Sequence, residues 1–531
     1  MSNNISSAIS TANWNKRNMW INQSEELTTR PGQDLICSFT AFPAPYQMYP
    51  RGSFTAKSQF ADSVQHYVLM GTGSPAQRTL EMYVMDENLP DTQRKQVLPL
   101  GADRPIRAMT GAVVNGEVII SGPDIPTLWG YSGSGIVVAT SELSVNPSIQ
   151  TLSMPRGICV SWADRCVIAQ GEALFISDPY APRTYTADGF LALPGVVYGL
   201  HVTDIGDLVA VTSEGVYSMN SQSVAQGAGI VGSVNKISNY KANDYRQSAM
   251  TPFGLYGLTK RGYKRIDVET SDEVPLSDRR FVRSLSDMIS FPDYRSGQIF
   301  ETDTGMAIAI GSIDKNANDT FEGGVCMVDL YEDLKSWWTP FWMKSLEGVL
   351  TSREGETLFL FRACNESGVA PAPVTVGDMA SVMKFHLDRD TIVGDNYPVA
   401  DGYKADFTYS GSIAGLVPYN PEVQPVVRAI FMKADNGGKL VKVAVRGEYQ
   451  KQDGTLQEIV TEANGVVMDG VTVWGPISNP DKLKTVELEG NRFQFAKRTD
   501  DISVEVQAAG GRVRIGGVSF ATRGYGQRRP V

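Results

Sequence analysis

The chain has 531 residues, of which 42% are hydrophobic and 20% charged, and its formal net charge is −10. This composition excludes a disordered chain, and the acidic balance excludes a protein that binds nucleic acid over its whole surface. A chain of this length should hold more than one core. The sequence contains no apolar run long enough to span a bilayer, so we expect no stable membrane insertion. The opening MSNNISSAIS does not have the pattern of a secretory signal.

The first 60 residues are predicted to form an N-terminal arm and an extended loop. Trp14 and Trp20 are isolated apolar anchors in a polar stretch, and Arg30-Pro31-Gly32 has the composition of a turn. We expect this arm to lie along the main body and to help join neighbouring subunits. Its assembly residues would be Trp14, Trp20, Arg30 and Pro31.

Short strands separated by polar turns repeat through residues 61–395. Two hairpins show the pattern best: Cys166–Ala169 with Ala173–Ile176, and Leu208–Thr212 with Gly215–Met219. Related pairs recur at an irregular period of roughly 40–50 residues, which is typical of propeller blades with loop insertions. We therefore predict a mainly β protein with an irregular β-propeller platform and few helices. One helix is predicted within residues 277–290, where apolar residues have helical spacing.

The pattern changes after a Pro- and Gly-rich linker at residues 396–420. Longer alternating strands follow in 421–531, which predicts a C-terminal antiparallel β-sandwich. The tail TRGYGQRRPV is basic and glycine-containing. It could be flexible, or it could dock on a neighbouring subunit or on DNA phosphate. Three of its arginines are candidate assembly residues: Arg523, Arg528 and Arg529.

The sequence offers little support for enzymatic chemistry. Gly227–Gly232 matches a GxGxxG pattern by letter, but no strand and helix flank it as a phosphate cradle requires. Asp314–Glu322 begins like a calcium loop and lacks the glycine and the glutamate that such a loop needs. The three histidines are far apart in sequence. We therefore predict no catalytic residues, no cofactor and no metal site.

Four phrases of this chain resemble a known family. They are MWINQSEELTTRPG at 19–32, ALFISDPYAPRTYT at 173–186, GVVYGLHVTDIGDLVAVTSEGVYSM at 195–219 and RVRIGGVSFATRGYGQRRPV at 512–531. In their order and content they are similar to the tail nozzle proteins of short-tailed bacteriophages, also called tail tubular protein B or head-completion hub proteins.

The resemblance implies a structural virion protein that is made in the cytoplasm of the host bacterium. Such proteins form a homohexameric ring below the portal and adaptor, and the ring encloses the path of double-stranded DNA. Tail fibres or spikes attach to its sides. The DNA would pass without sequence recognition. An acidic or neutral channel wall would let the DNA slide, because it lacks the many Lys and Arg contacts with which a basic wall would hold a polyanion.

Two other functions stay open at the level of sequence. A glycan-processing propeller enzyme would use clustered carboxylates such as Asp178 or Asp204 in a central pocket. A receptor- or glycan-binding adhesin would stack exposed aromatic side chains on sugars. Its candidate platform residues are Trp337, Trp338, Trp342, Tyr46 and Tyr49.

Overall fold

A computed structural model describes the backbone of most strands and many of their connections. The described ranges are 14–17, 19–21, 27–29, 33–38, 47–57, 64–74, 77–86, 96–131, 136–139, 154–220, 234–259, 262–275, 297–303, 305–310, 324–329, 335–339, 343–363, 379–385, 395–396, 404–405, 408–413, 425–435, 441–450, 456–468, 471–476, 484–485, 491–498, 501–509 and 514–524. All regular elements in these ranges are β-strands. The predicted helix at 277–290 lies outside them.

Seven four-stranded antiparallel blades can be traced in this part of the chain. The first blade contains β5 (Gln47–Lys57), β6 (Val64–Ser74), β7 (Gln77–Asp86) and β8 (Gln96–Ala102). The second contains β9 (Thr110–Val114), β10 (Glu117–Gly122), β11 (Ile125–Tyr131) and β12 (Ile136–Val138). The third contains β13 (Ile158–Trp162), β14 (Arg165–Gln170), β15 (Ala173–Asp178) and β16 (Ala181–Ala192). The fourth blade contains β17 (Val197–Val202), β18 (Leu208–Thr212), β19 (Val216–Met219) and β20 (Asn235–Ser238). The fifth contains β21 (Ser248–Thr251), β22 (Gly254–Thr259), β23 (Gly262–Ile266) and β24 (Glu273–Pro275). The sixth contains β25 (Gln298–Glu301), β26 (Gly305–Ile310), β27 (Gly324–Asp329) and β28 (Lys335–Thr339). The seventh contains β29 (Met343–Thr351), β30 (Thr357–Ala363), β31 (Met379–Phe385) and β4 (Gln33–Ser38).

The hairpins predicted from the sequence are present. The first predicted pair becomes β14 and β15, and the second becomes β18 and β19. Local turn chemistry sets such pairs: Asn115 and Gly116 join β9 to β10 with φ of 50° and 77°. Positive φ at both central residues is what a tight type I′ hairpin requires, and Asn-Gly adopts it readily.

The innermost strands of the blades are β5, β9, β13, β17, β21, β25 and β29. Each contacts the innermost strand of the next blade, and β29 contacts β5, so the blades form a ring. Apolar clusters fill the wedges between neighbouring blades. One cluster joins Leu69 of β6, in the first blade, to Val118 and Leu128 of the second blade. Another packs Val68 and Tyr83 of the first blade against side chains of the seventh.

The N-terminal segment closes the ring. β4 pairs antiparallel with β31, with Cys37 opposite Val382, and forms the outer edge of the seventh blade. Thus the first and last propeller segments share one sheet, and opening the ring requires breaking that ladder. Residues 1–60, predicted as an arm, therefore contribute β4 and β5 to the propeller itself.

The remaining N-terminal strands belong to the sheets of the C-terminal part. They are β1 (Trp14–Arg17), β2 (Met19–Ile21) and β3 (Leu27–Thr29). The C-terminal strands are β32 (Asp395–Asn396), β33 (Lys404–Ala405), β34 (Thr408–Ile413), β35 (Pro425–Asp435), β36 (Val441–Gln450), β37 (Leu456–Met468), β38 (Val471–Pro476), β39 (Lys484–Thr485), β40 (Asn491–Arg498), β41 (Asp501–Ala509) and β42 (Arg514–Gly524).

Two antiparallel sheets make up the C-terminal part, as the predicted sandwich requires. One has the order β2-β3-β42-β35-β40, and the other runs β34-β41-β36-β37-β38-β39. The second continues through β1 into the sixth blade, so that eleven strands form one sheet. β34 lies in the stretch predicted as a linker, 396–420, and it connects β1 to β41.

Candidate functional site

The innermost strands line a central cavity of about 230 Å³. Side chains from all seven blades reach it, because each innermost strand has one edge toward the axis. The polar ones concentrate on the fourth to seventh blades. The size suits a cluster of water molecules or one small ligand, since a water molecule occupies about 30 Å³ in the liquid.

Arg246 crosses this cavity from the segment before β21. Its Nη1 donates to Gln298 Oε1 at 3.0 Å and to the Glu347 carbonyl oxygen at 3.3 Å. Its Nη2 donates to the Arg51 carbonyl oxygen at 3.4 Å, and its guanidinium lies 5.8 Å from the centre of the Phe300 ring. One side chain thereby links the fifth, sixth, seventh and first blades. Burial lowers the pKa of Arg246, and nearby acids oppose the change.

His201 and Ser248 form a second polar pair on the cavity wall. His201 Nε2 lies 2.8 Å from Ser248 Oγ, which joins the innermost strands of the fourth and fifth blades. Burial lowers the pKa of His201 to about 4, so the ring is neutral at pH 7. Gly199 lies against both groups, and a Cβ there would overlap Ser248 Oγ. Glycine at this position therefore allows the two strands to approach.

An acidic mouth lies at the end of the cavity where β17 and β25 finish. Glu301 lines the cavity, and Asp204 follows β17. Glu301 is exposed as a residue, yet protein atoms crowd its carboxyl group and raise its pKa to about 7, with a smaller contribution from Asp204. Two carboxyl groups that repel each other in this way favour a cation or a proton between them.

Three of the predicted assembly residues lie in described strands, and none of these three lines the cavity. Trp14 is in β1, Trp20 is in β2 and Arg523 is in β42. The other four, Arg30, Pro31, Arg528 and Arg529, lie outside the described residues.

β1, the strand that carries Trp14, pairs with a different strand on each of its two edges. β1 pairs antiparallel with β34, with Trp14 opposite Ile413. On its other side β1 meets β28 in parallel, with Arg17 opposite Trp338. Trp20 sits opposite Thr28 in the short hairpin that borders β42.

The described residues of the two alternative functions lie in several different strands and loops. Asp204 follows β17 and acts electrostatically on Glu301, whereas Asp178 ends the third strand of its blade, and neither residue lines the cavity. Trp337 and Trp338 are neighbours in β28, and Tyr49 is in β5. Trp342 and Tyr46 lie outside the described ranges.

Within the described residues, no three His, Cys, Asp or Glu side chains come close enough together to hold a metal ion. No helix in this part of the chain has the length and apolar character to cross a bilayer. Among the described residues, Cys159 and Cys166 are buried free thiols.

Sequence reasoning missed Arg246, the His201–Ser248 pair and Glu301 as members of one site. They come from three different blades, and no local spacing connects them. The only signal in the sequence is a charged or polar residue at the start or end of a short apolar strand, which is also what a solvated turn looks like.

The chain matches no protein-family model and no curated protein. Among solved structures, BBS1N in complex with ARL6DN is 10% identical, with 70% of this chain and 99% of that one covered, at a TM-score of 0.38. YCF48 from Cyanidioschyzon merolae is 10% identical, with 65% and 97% covered, at 0.31. The exo-beta-1,3-galactanase from Phanerochaete chrysosporium is 8% identical, with 87% and 95% covered, at 0.23. Likenesses this distant carry no functional argument, and the propeller assignment rests on the strand pairing described above.

Proposed function

We propose that this chain is a structural virion protein of a short-tailed bacteriophage. Six copies would form the tail nozzle below the portal and adaptor, and the ring would conduct double-stranded DNA during ejection. The sequence resemblance given above is the starting point. The supporting observation from the structure is the eleven-stranded sheet in which β1 connects the sixth blade to the C-terminal strands.

A continuous sheet suits a part that must keep its shape in an assembly. β1 is paired on both edges: with β28 of the sixth blade at Arg17 and Trp338, and with β34 along four residue pairs. The N-terminal strands also connect the second C-terminal sheet through β3 and β42. A closed ring needs two different faces on each subunit, and a subunit whose two parts share one sheet can present them.

The DNA path in this proposal is the centre of the ring of subunits. The cavity of each propeller is only about 230 Å³ and is crossed by Arg246. A duplex, whose major groove alone is about 12 Å wide, cannot pass through it. The propellers therefore belong to the wall, and the net charge of −10 would limit their grip on the passing DNA.

The outer strands of the first three blades are candidate contact surfaces for fibres, spikes or neighbouring subunits. They expose large apolar side chains that a solvent-facing edge does not need. Four of these are Val97, Val137, Val138 and Phe190. Apolar patches with polar rims are typical of protein interfaces.

The decisive experiment is the copy number of this chain in purified particles, measured by quantitative mass spectrometry against the portal protein. A hexameric nozzle on a twelvefold portal predicts a ratio of about one to two. Absence from particles would refute the proposal. A copy number typical of trimeric spikes would instead favour the adhesin, and a glycan-binding screen would then follow.

A further inference from the structure

A groove of about 270 Å³ lies on the face of the propeller between the fourth and fifth blades. The loop after β17 and the turn after β21 form its two sides, and the turn between β23 and β24 forms its end. Ile205 and Phe253 stand on facing sides and are 61% and 40% exposed. Val268 extends the apolar surface into the groove. Large apolar side chains this open on tight turns are typical of a surface that a partner covers.

Carboxylates surround this apolar groove. Asp204, Asp267 and Glu269 line it, and none of them forms a salt bridge within the described residues. Asp267 Oδ1 accepts hydrogen bonds from the backbone N–H groups of Glu269 and Thr270, both at 3.0 Å. The Thr270 bond is the main cause of the lowered pKa of Asp267, so this carboxylate is charged at pH 7.

The combination of apolar walls and open carboxylates matches one side chain best. Arginine lays its aliphatic stem on apolar surface and directs a planar fork of N–H groups at a carboxylate. Lysine shares the charge but not the bidentate geometry. The groove is therefore complementary to an arginine-bearing segment of extended backbone, and its volume has room for one or two such side chains.

The chain itself contains such a segment. The last ten residues, TRGYGQRRPV, carry three arginines and no acidic residue. Arg528 and Arg529 follow the end of β42 at Gly524 in the sequence. We propose that Arg528 and Arg529 of one subunit bind the groove of a second copy of this chain.

This proposal rests on the ring that forms the proposed function. In a closed ring the contact between neighbouring subunits joins two different surfaces, so a basic segment and an acidic groove on the same chain can form the two halves of such a contact. Like-charge repulsion between Asp204 and Glu301 would fall when a guanidinium arrives, which adds a gain that exists only in the bound state.

The test uses a fluorescent peptide of residues 522–531 and the full-length chain, together with a chain that ends at Gly524. Fluorescence anisotropy at low salt gives the dissociation constants. The double variant Asp204→Asn/Asp267→Asn keeps the side-chain shapes and removes two charges, and we expect it to weaken peptide binding at least about tenfold. The control for each single substitution is Asp207→Asn, which removes one charge in the loop that carries Asp204 but outside the groove.

Two further arms separate recognition from general attraction. Replacing Arg528 and Arg529 of the peptide by lysine keeps the charge and should weaken binding several-fold, as should Ile205→Ser on the protein. Equal losses in Asp207→Asn and the groove variant, or no peptide binding at all, would overturn the proposal. Binding that is indifferent to Arg-to-Lys exchange would also overturn it, because the groove would then be only an acidic surface.

Cross-linking of a mixture of ¹⁵N-labelled and unlabelled chains decides which subunit receives the tail. Mixed-isotope links between the tail and the loop after β17 support docking on a second copy, and links of a single isotope only would refute it. The particle copy number is independent of these results. A chain absent from particles that still shows groove-dependent tail binding would refute the nozzle and leave the tail contact standing.

Discussion

Replacing Arg246 by methionine should destabilise the propeller more than any comparable change at its surface. Methionine keeps an unbranched stem and removes all five N–H donors. The change leaves Gln298 Oε1 and the carbonyl oxygens of Arg51 and Glu347 without this donor in the cavity. An acceptor left without a partner costs about 1–3 kcal/mol, and one broken buried charge network about 3–5 kcal/mol.

We expect a loss of about 3 kcal/mol, toward the low end, because the 3.4 Å contact is long and Arg246 is only partly enclosed. Unfolding entropy is about 2 cal/mol/K per residue, so for a propeller of roughly 350 residues this loss lowers Tm by about 4 °C. The backbone of Arg246 has φ of 58° in wild type, and methionine meets the same strain there, so the comparison isolates the side chain.

Thermal melts followed by circular dichroism would measure the effect. The control is Arg107→Met, since Arg107 is 54% exposed and forms a paired contact with Asp124 at 2.9 Å. An exposed ion pair is worth about 0–1 kcal/mol, so the control should change Tm by no more than about 1–2 °C. If Arg246→Met lowers Tm no further than Arg107→Met, then Arg246 does not tie the blades together and the reasoning is wrong.

Three further predictions follow from the ring and its cavity. A Cβ on Gly348 would overlap Ser53 Oγ across the junction of the seventh and first blades. Gly348→Ala should therefore lower the free energy of unfolding, measured in urea, by about 1–3 kcal/mol. Adding Ser53→Gly should restore most of this loss, and absence of rescue would contradict the proposed contact. The pKa of His201 is about 4 in the folded state against an ordinary 6.5, so its contribution to stability is complete above pH 6.5 and is lost as pH falls toward 4. The loss is at most about 3 kcal/mol. His201→Gln should reduce this acid sensitivity of the free energy of unfolding, and equal pH profiles for both proteins would argue against the burial of His201. Deleting residues 1–32 should leave the propeller folded and expose the C-terminal sheets to limited proteolysis. Deleting residues 1–38 also removes β4 and should lower the Tm of the propeller itself. Equal Tm values for the two truncated chains would refute closure of the ring by the pairing of β4 with β31.

Much of the architecture follows from local sequence. The hairpins of the third and fourth blades were predicted from apolar runs and their turns, because side-chain alternation and turn chemistry act over a few residues. The change after residue 420 to longer alternating strands likewise predicted C-terminal antiparallel sheets, and β35 to β42 form such sheets. Trp14 and Trp20, predicted as anchors of the arm, lie in paired strands, and their role in assembly stays a prediction.

The sequence by itself determined the class of fold, and the tertiary structure decided how the ring closes and what it encloses. Pairing of β4 with β31 joins segments from opposite ends of the propeller, and nothing within either strand specifies such a distant partner. The cavity polar groups belong to different blades in the same way, since Arg246 and His201 become neighbours of Glu301 only when the ring brings the innermost strands together. Local patterns encode strands and turns through short-range sterics and alternation, whereas blade number, closure and the cavity arise from contacts between residues that are far apart in sequence.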